Sequence, residues 1–107
     1  MKKEKILNKL KQEHSKLLNQ LENSETPLIT EVIISSTNRI KALDYFISLI
    51  ESGQTEFSGE REVLLSHLKG RSIQGLPVDM FQVVNRLQVI NYINKLINLE
   101  DKDDTSN

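Results

Sequence analysis

The stretch that decides the fold is residues 1–21, MKKEKILNKLKQEHSKLLNQL. Its seam positions recur at alternating spacings of three and four residues, which is typical of a helix that packs lengthwise through a narrow stripe. Neither glycine nor proline interrupts it. The sequence therefore predicts a first helix over about residues 2–22. Its stripe consists of Leu7, Leu10, His14, Leu17 and Leu21.

Two later segments have the same period. The earlier one begins at Thr26-Pro27, where a threonine cap and a proline in the first turn favour a helix start. It is predicted to end at residues 51–52, with Gly53 as a left-handed cap. The later one is predicted to begin at Pro77. The stripes are Ile29, Ile33, Ser36, Ile40, Leu43, Ile47 and Ile50, and Leu76, Met80, Val83, Leu87, Ile90, Asn94 and Ile97.

All four glycines lie between residues 53 and 75, which marks this stretch as the turning part of the chain. Within it, residues 60–69 predict a short amphipathic helix opened by Ser58 and closed by Gly70. After residue 99 the periodicity ends, and we expect an acidic disordered tail over residues 100–107. The sequence thus predicts one helical domain over residues 1–99.

The fold class predicted is all-α: three long helices plus one short helix, in an antiparallel helical hairpin or bundle with coiled-coil-like seams. Residues 29–34 are rich in β-branched side chains and also fit a strand, but no second strand is available to pair with it. Only 37% of residues are hydrophobic, so we expect a homodimer or another partner to complete the burial. Self-association or register would then rest on the first-helix stripe of Leu7, Leu10, His14, Leu17 and Leu21. The polar seam residues His14, Ser36 and Asn94 either help to fix that register or are separate, partly wet positions near helix ends.

Composition excludes several chemistries. The absence of cysteine removes disulfides and thiolate catalysis and favours a cytoplasmic location. The longest apolar run is three residues, so no membrane contact is expected. Isoleucine, leucine, asparagine and lysine dominate, and Ala42 is the sole alanine, which points to an AT-rich bacterial or phage genome.

No constellation of catalytic, metal-binding or cofactor-binding residues is found. His14 and His67 are 53 positions apart, and neither has an acidic residue three positions before it. Residues 70–75 resemble half of a phosphate-binding loop, but the lysine and hydroxyl residue that should follow are missing. We therefore expect a protein that is not an enzyme and that takes no small-molecule substrate.

The function expected is binding of another protein, as an inhibitor, adaptor or regulatory factor. The alternative is a nucleic-acid-binding transcriptional regulator that uses the basic first helix or a helix-turn-helix over residues 59–90. Residues 1–16 hold six lysines against two glutamates, a net charge of +4. Residues 100–104 hold four acidic residues against one lysine, a net charge of −3.

The predicted partner-binding residues fall in two groups. An isolated aromatic residue and the apolar face of the short helix lie on a segment rich in glycine, where binding residues concentrate. The alternative is that these residues close one end of the core. The basic first helix is the second surface. The residues are Phe57, Val63, Leu64 and Leu68, and Lys2, Lys5 and Lys9.

Overall fold

The computed structural model describes residues 2–24, 26–69 and 80–105, and side chains up to residue 99. These ranges contain four helices and no strand, so the predicted all-α class with three long helices and one short helix is confirmed. The helices are α1 (Lys3–Asn23), α2 (Thr30–Glu51), α3 (Ser58–Leu68) and α4 (Phe81–Thr105).

The start of α2 differs from the prediction. The helix begins at Thr30 with Ile29 as its N-cap, in extended conformation and without a side-chain cap hydrogen bond. The carbonyl of Thr26 instead accepts a hydrogen bond from the Ser24 hydroxyl at 2.7 Å. Residues 27–29 form an extended connection in which Leu28 is half-buried. Residues 27–29, which were expected to form the first turn of α2, therefore belong to the connection between α1 and α2.

The end of α2 follows the prediction. Gly53 has a φ of 107°, a conformation that strains any residue with a Cβ atom. The amide of Gly53 donates to the carbonyl of Ile50, and the amide of Gln54 donates to the carbonyl of Leu49, both at 3.0 Å. These two bonds form a Schellman motif, which satisfies the last carbonyls of the helix.

Two expectations near α4 need comment. The predicted closure at Gly70, the loop over residues 70–75, and the helix start at Leu76-Pro77 lie outside the described residues. As a correction, α4 does not end at residue 99, because its backbone stays helical to Thr105. Neither glycine nor proline follows residue 99 to stop it.

The first two helices form the predicted antiparallel hairpin. Lys11 Nζ lies 3.6 Å from Glu51 Oε2, and His14 Nε2 lies 2.8 Å from Asp44 Oδ1. Residues later in α1 thus contact residues earlier in α2, which shows that the two helices are antiparallel. α2 also packs along α4, and α4 packs against α3. α2 and α4 together therefore form the pair on which the other two helices pack.

The core gathers side chains from all four elements at one end of the bundle. α2 contributes residues 42–50, α4 contributes residues 87–93, and α1 contributes residues 6–10. In α4 the predicted stripe is partly wrong, because Asn94 is exposed. α4 contacts three helices, so it buries a wider arc than one stripe. The fully buried side chains are Ile6, Leu10, Leu43, Phe46, Ile50, Val89, Ile90 and Ile93.

Phe57 belongs to this core. Its side chain is only 3% exposed, and its ring packs edge to face on Phe46 with centroids 5.3 Å apart. Leu64 of α3 is also buried. The prediction that Phe57 and Leu64 are exposed partner-binding anchors is therefore wrong. They close one end of the core, because α3 is too short to bury its apolar face by itself.

We expect Phe57→Ala to lower the free energy of unfolding by about 3 kcal/mol or more, since truncating a buried phenylalanine leaves a cavity. Chemical denaturation followed by circular dichroism measures this change. The control is Val63→Ala, at a side chain that is 58% exposed, where we expect a change within about 0.5 kcal/mol. Equal unfolding midpoints for the two variants would contradict the core role of Phe57.

Candidate functional site

The two ends of the bundle differ in burial. All buried side chains of α2 lie between residues 42 and 50, and those of α4 lie between residues 87 and 93. The first half of α2 and residues 81–86 of α4 therefore contribute no buried side chain. We call this region the open end of the bundle. It comprises residues 17–24 of α1, residues 28–38 around the start of α2, and residues 80–85 at the start of α4.

The open end exposes apolar side chains of α2. Ile29 is 64% exposed, Ile33 is 43% exposed, and Val32 and Ile34 are similarly accessible. Adjacent helical residues point about 100° apart, so neighbours such as Val32, Ile33 and Ile34 cannot all face one core. Single exposed apolar residues are common, but a contiguous group marks an interaction surface.

A groove runs between α2 and α4 beside these residues, with a volume of about 360 Å³. We call it the α2–α4 groove. Its apolar lining comes from Ile34, Phe81 and Val84. Hydroxyl and amide groups surround this lining, and Glu31 is the one charged residue among the described residues of the wall. The polar wall residues are Ser35, Asn38, Asn85 and Gln88.

A polar cluster separates the open end from the core. Arg39 Nε donates to Glu13 Oε1 at 3.1 Å, and its Nη1 donates to Gln88 Oε1 at 3.3 Å. The cluster thus links α2 to both α1 and α4. Tyr92 lies nearby, and its pKa is raised by burial and by the Glu13 carboxylate, against the opposing charge of Arg39. The cluster fixes how the three helices face each other at this level.

A second polar cluster holds α3 against the bundle. The Tyr45 hydroxyl donates to Glu60 Oε1 at 2.8 Å, and the Arg86 guanidinium lies 4.1 Å from the centre of the Tyr45 ring. The hydrogen bond to Glu60, burial and the charge of Glu60 raise the pKa of Tyr45, while Arg86 opposes them. This arrangement connects three helices and contains no activated nucleophile.

We expect both tyrosines to ionise above pH 10.0, their ordinary value, in the folded protein. A raised phenol pKa means that folding favours the neutral form. The stabilisation is therefore complete below that pH and is lost as the pH rises through the folded pKa. The near-ultraviolet absorbance of tyrosinate measures this, because the chain has two tyrosines and no tryptophan. Identical tyrosinate titrations in buffer and in denaturant would contradict the raised pKa values. The variant Tyr45→Phe leaves Tyr92 as the one tyrosine, so its titration can be followed separately.

The structure separates the residues predicted to bind a partner. Val63 of α3 is exposed and Leu68 is half-buried. Lys2, Lys5 and Lys9 are exposed on α1. α1 and α3 do not pack against each other within the described residues. The two predicted groups therefore do not form one site.

The stripe of α1 packs inside the chain. Leu7 and Leu10 are buried in the core, and His14, Leu17 and Leu21 are half-buried. Burial of Leu7 and Leu10 therefore needs no second chain. Its role in self-association stays a prediction.

Sequence reasoning missed the α2–α4 groove. The residues that mark it, among them Ile34 and Phe81, fall outside the predicted stripes. A signal of this surface is present in residues 29–34, where several apolar residues follow one another. In a helix these side chains point in different directions, so one neighbouring helix cannot bury all of them. The same run also fits the pattern of a strand, and neither pattern predicts an exposed surface.

The described residues contain neither a metal-binding group nor a helix that could cross a membrane. No group of three or more histidine, cysteine, aspartate or glutamate side chains is placed to hold a metal ion. None of the helices in that part of the chain is both long enough and apolar enough to cross a membrane.

The class that the fold defines is an all-α helical bundle. Comparisons with protein-family models, with curated proteins and with solved structures found no match.

Proposed function

We propose that the protein acts by binding another protein through the α2–α4 groove, as an inhibitor, adaptor or regulatory factor without a reaction of its own. The observation that supports this proposal is the apolar surface left uncovered at the open end. Ile34, Phe81 and Val84 line a groove whose neighbours Ile29 and Ile33 are also exposed. A cytoplasmic location is part of the proposal, since a chain without cysteine suits a reducing compartment.

The chemistry of the groove favours an amphipathic helix as the occupant. Residues of two helices form its walls, and an apolar groove between helices is a surface on which a third helix can place its apolar face. The amide and hydroxyl groups of the wall suit the polar edges of such a helix. Glu31 is the single charge among the wall residues that the structure describes, so the partner helix should carry a lysine or arginine at the matching end. A nucleic acid is disfavoured here, because phosphates would meet apolar and acidic groups.

Photo-crosslinking from the groove tests this proposal. A photoreactive residue at Ile34, in lysate of the cell that encodes the protein, should link to a helical peptide with apolar residues at three- and four-residue spacing. Val84→Asp places a charge in the groove and should reduce that product about tenfold or more, which corresponds to about 1.4 kcal/mol. Mass spectrometry of the crosslinked peptide measures both results.

The matched control places the photoreactive residue at Val63, which is exposed on α3 and lies outside the groove. Circular dichroism of Val84→Asp confirms that the variant is folded. Equal products from Ile34 and Val63 would reject the proposal. A crosslink to a peptide of this chain would reject a foreign partner and show that a second copy fills the groove, as a homodimer.

A further inference from the structure

The outward face of α1 consists of lysines and side-chain amides alone. At about 100° per residue, the positions that share this face fall within an arc about 100° wide. Every one of them is exposed. We call this set the lysine–amide face. It comprises Lys5, Asn8, Lys9, Gln12, Lys16, Asn19 and Asn23.

The acidic residues of α1 lie off this face. Glu13 points to Arg39, with Oε1 and Nε 3.1 Å apart. Glu4 and Glu22 fall outside the arc on its other side. In the described part of the chain, no acidic side chain pairs with Lys5, Lys9 or Lys16. Their positive charge is therefore directed to solvent.

α4 borders the face and adds to its charge. Tyr92 and Leu99 line grooves beside α1, with Lys9 in both. Lys95 is exposed and lies three residues from Tyr92 and four from Leu99, hence on the same strip of α4. The acidic residues 100–104 continue α4 toward the start of α1. Lys9 and Lys16 are thus farther from them than Lys5 is.

We propose that the lysine–amide face binds double-stranded DNA, with α1 lying in the major groove. An α-helix is about 10–12 Å across and the groove is about 12 Å wide, so the face fits without rearrangement. Lys5, Lys9 and Lys16 span about 16 Å along the helix and contact phosphates. The amides of Asn8 and Gln12 lie between them, where they bond to phosphates or base edges.

The composition of the face selects duplex DNA over other polyanions. It has no aromatic side chain on which the bases of a single strand would stack. It has no apolar side chain to form the core of an interface with an acidic protein. The major groove of duplex RNA is too narrow for a helix. The inference concerns a different surface from the α2–α4 groove and does not depend on the function proposed for it.

Fluorescence anisotropy with a labelled duplex of about 25 base pairs tests the inference, with the full chain at salt between about 50 and 200 mM. We expect micromolar binding at low salt. The affinity of the triple variant Lys5→Gln, Lys9→Gln, Lys16→Gln for the duplex should fall about tenfold or further. Each lost phosphate contact should reduce the slope of log affinity against log salt by about 0.9, hence about 2.7 for three.

The matched control is Lys11→Gln, Lys41→Gln, Lys69→Gln, which removes the same charge from exposed positions outside the face. It should keep most of the affinity and slope. Equal losses in the two triple variants would overturn the inference, as would absence of binding by the unmodified chain at about 50 mM salt. Polyglutamate that displaces the duplex at equal charge concentration would also overturn it and indicate an acidic protein instead.

Discussion

The structure depends on the burial of the second half of α2. Leu43, Phe46 and Ile50 are fully buried, and they receive side chains from the start of α1 on one side and from the middle of α4 on the other. Phe57 reaches this cluster through the ring of Phe46, which is how the short α3 joins a core made by longer helices. Because the hydrophobic effect scales with the apolar area removed from water, this end holds most of the folding free energy. The Schellman motif at Gly53 turns the chain where that burial ends.

The helices could be predicted from the sequence, but the packing contacts between them could be predicted only in part. The period of Leu7 and Leu10 identified α1, and the glycine at position 53 identified the end of α2, because both signals are local. The predicted start of α2 is wrong, because the carbonyl of Thr26 accepts a hydrogen bond from Ser24 in a turn and the helix begins only at Thr30. Phe57 looked isolated among polar neighbours, yet its partner Phe46 is distant in sequence. Burial of that kind leaves no trace in a local pattern.

The candidate surfaces illustrate the same limit. The charge of α1 is visible in the sequence, but only the structure shows that Glu13 leaves the lysine face to pair with Arg39. The α2–α4 groove joins residues about 50 positions apart, Ile34 and Val84. The Arg39 cluster lies between the groove and the core, so the molecule has a buried end that carries the fold and an open end that carries exposed apolar surface. Such a division lets an interaction surface change without loss of the fold.

The uneven burial of α2 has a consequence for its motion. Amide protons of the buried half exchange with solvent only when the whole core opens, whereas the first turns of α2 can open locally at small cost. A ligand that holds these turns closed would remove their local opening, and the entropy lost would reduce affinity for a given contact area. The same cost speeds dissociation, so the open end suits complexes that form and separate readily, and not permanent assemblies.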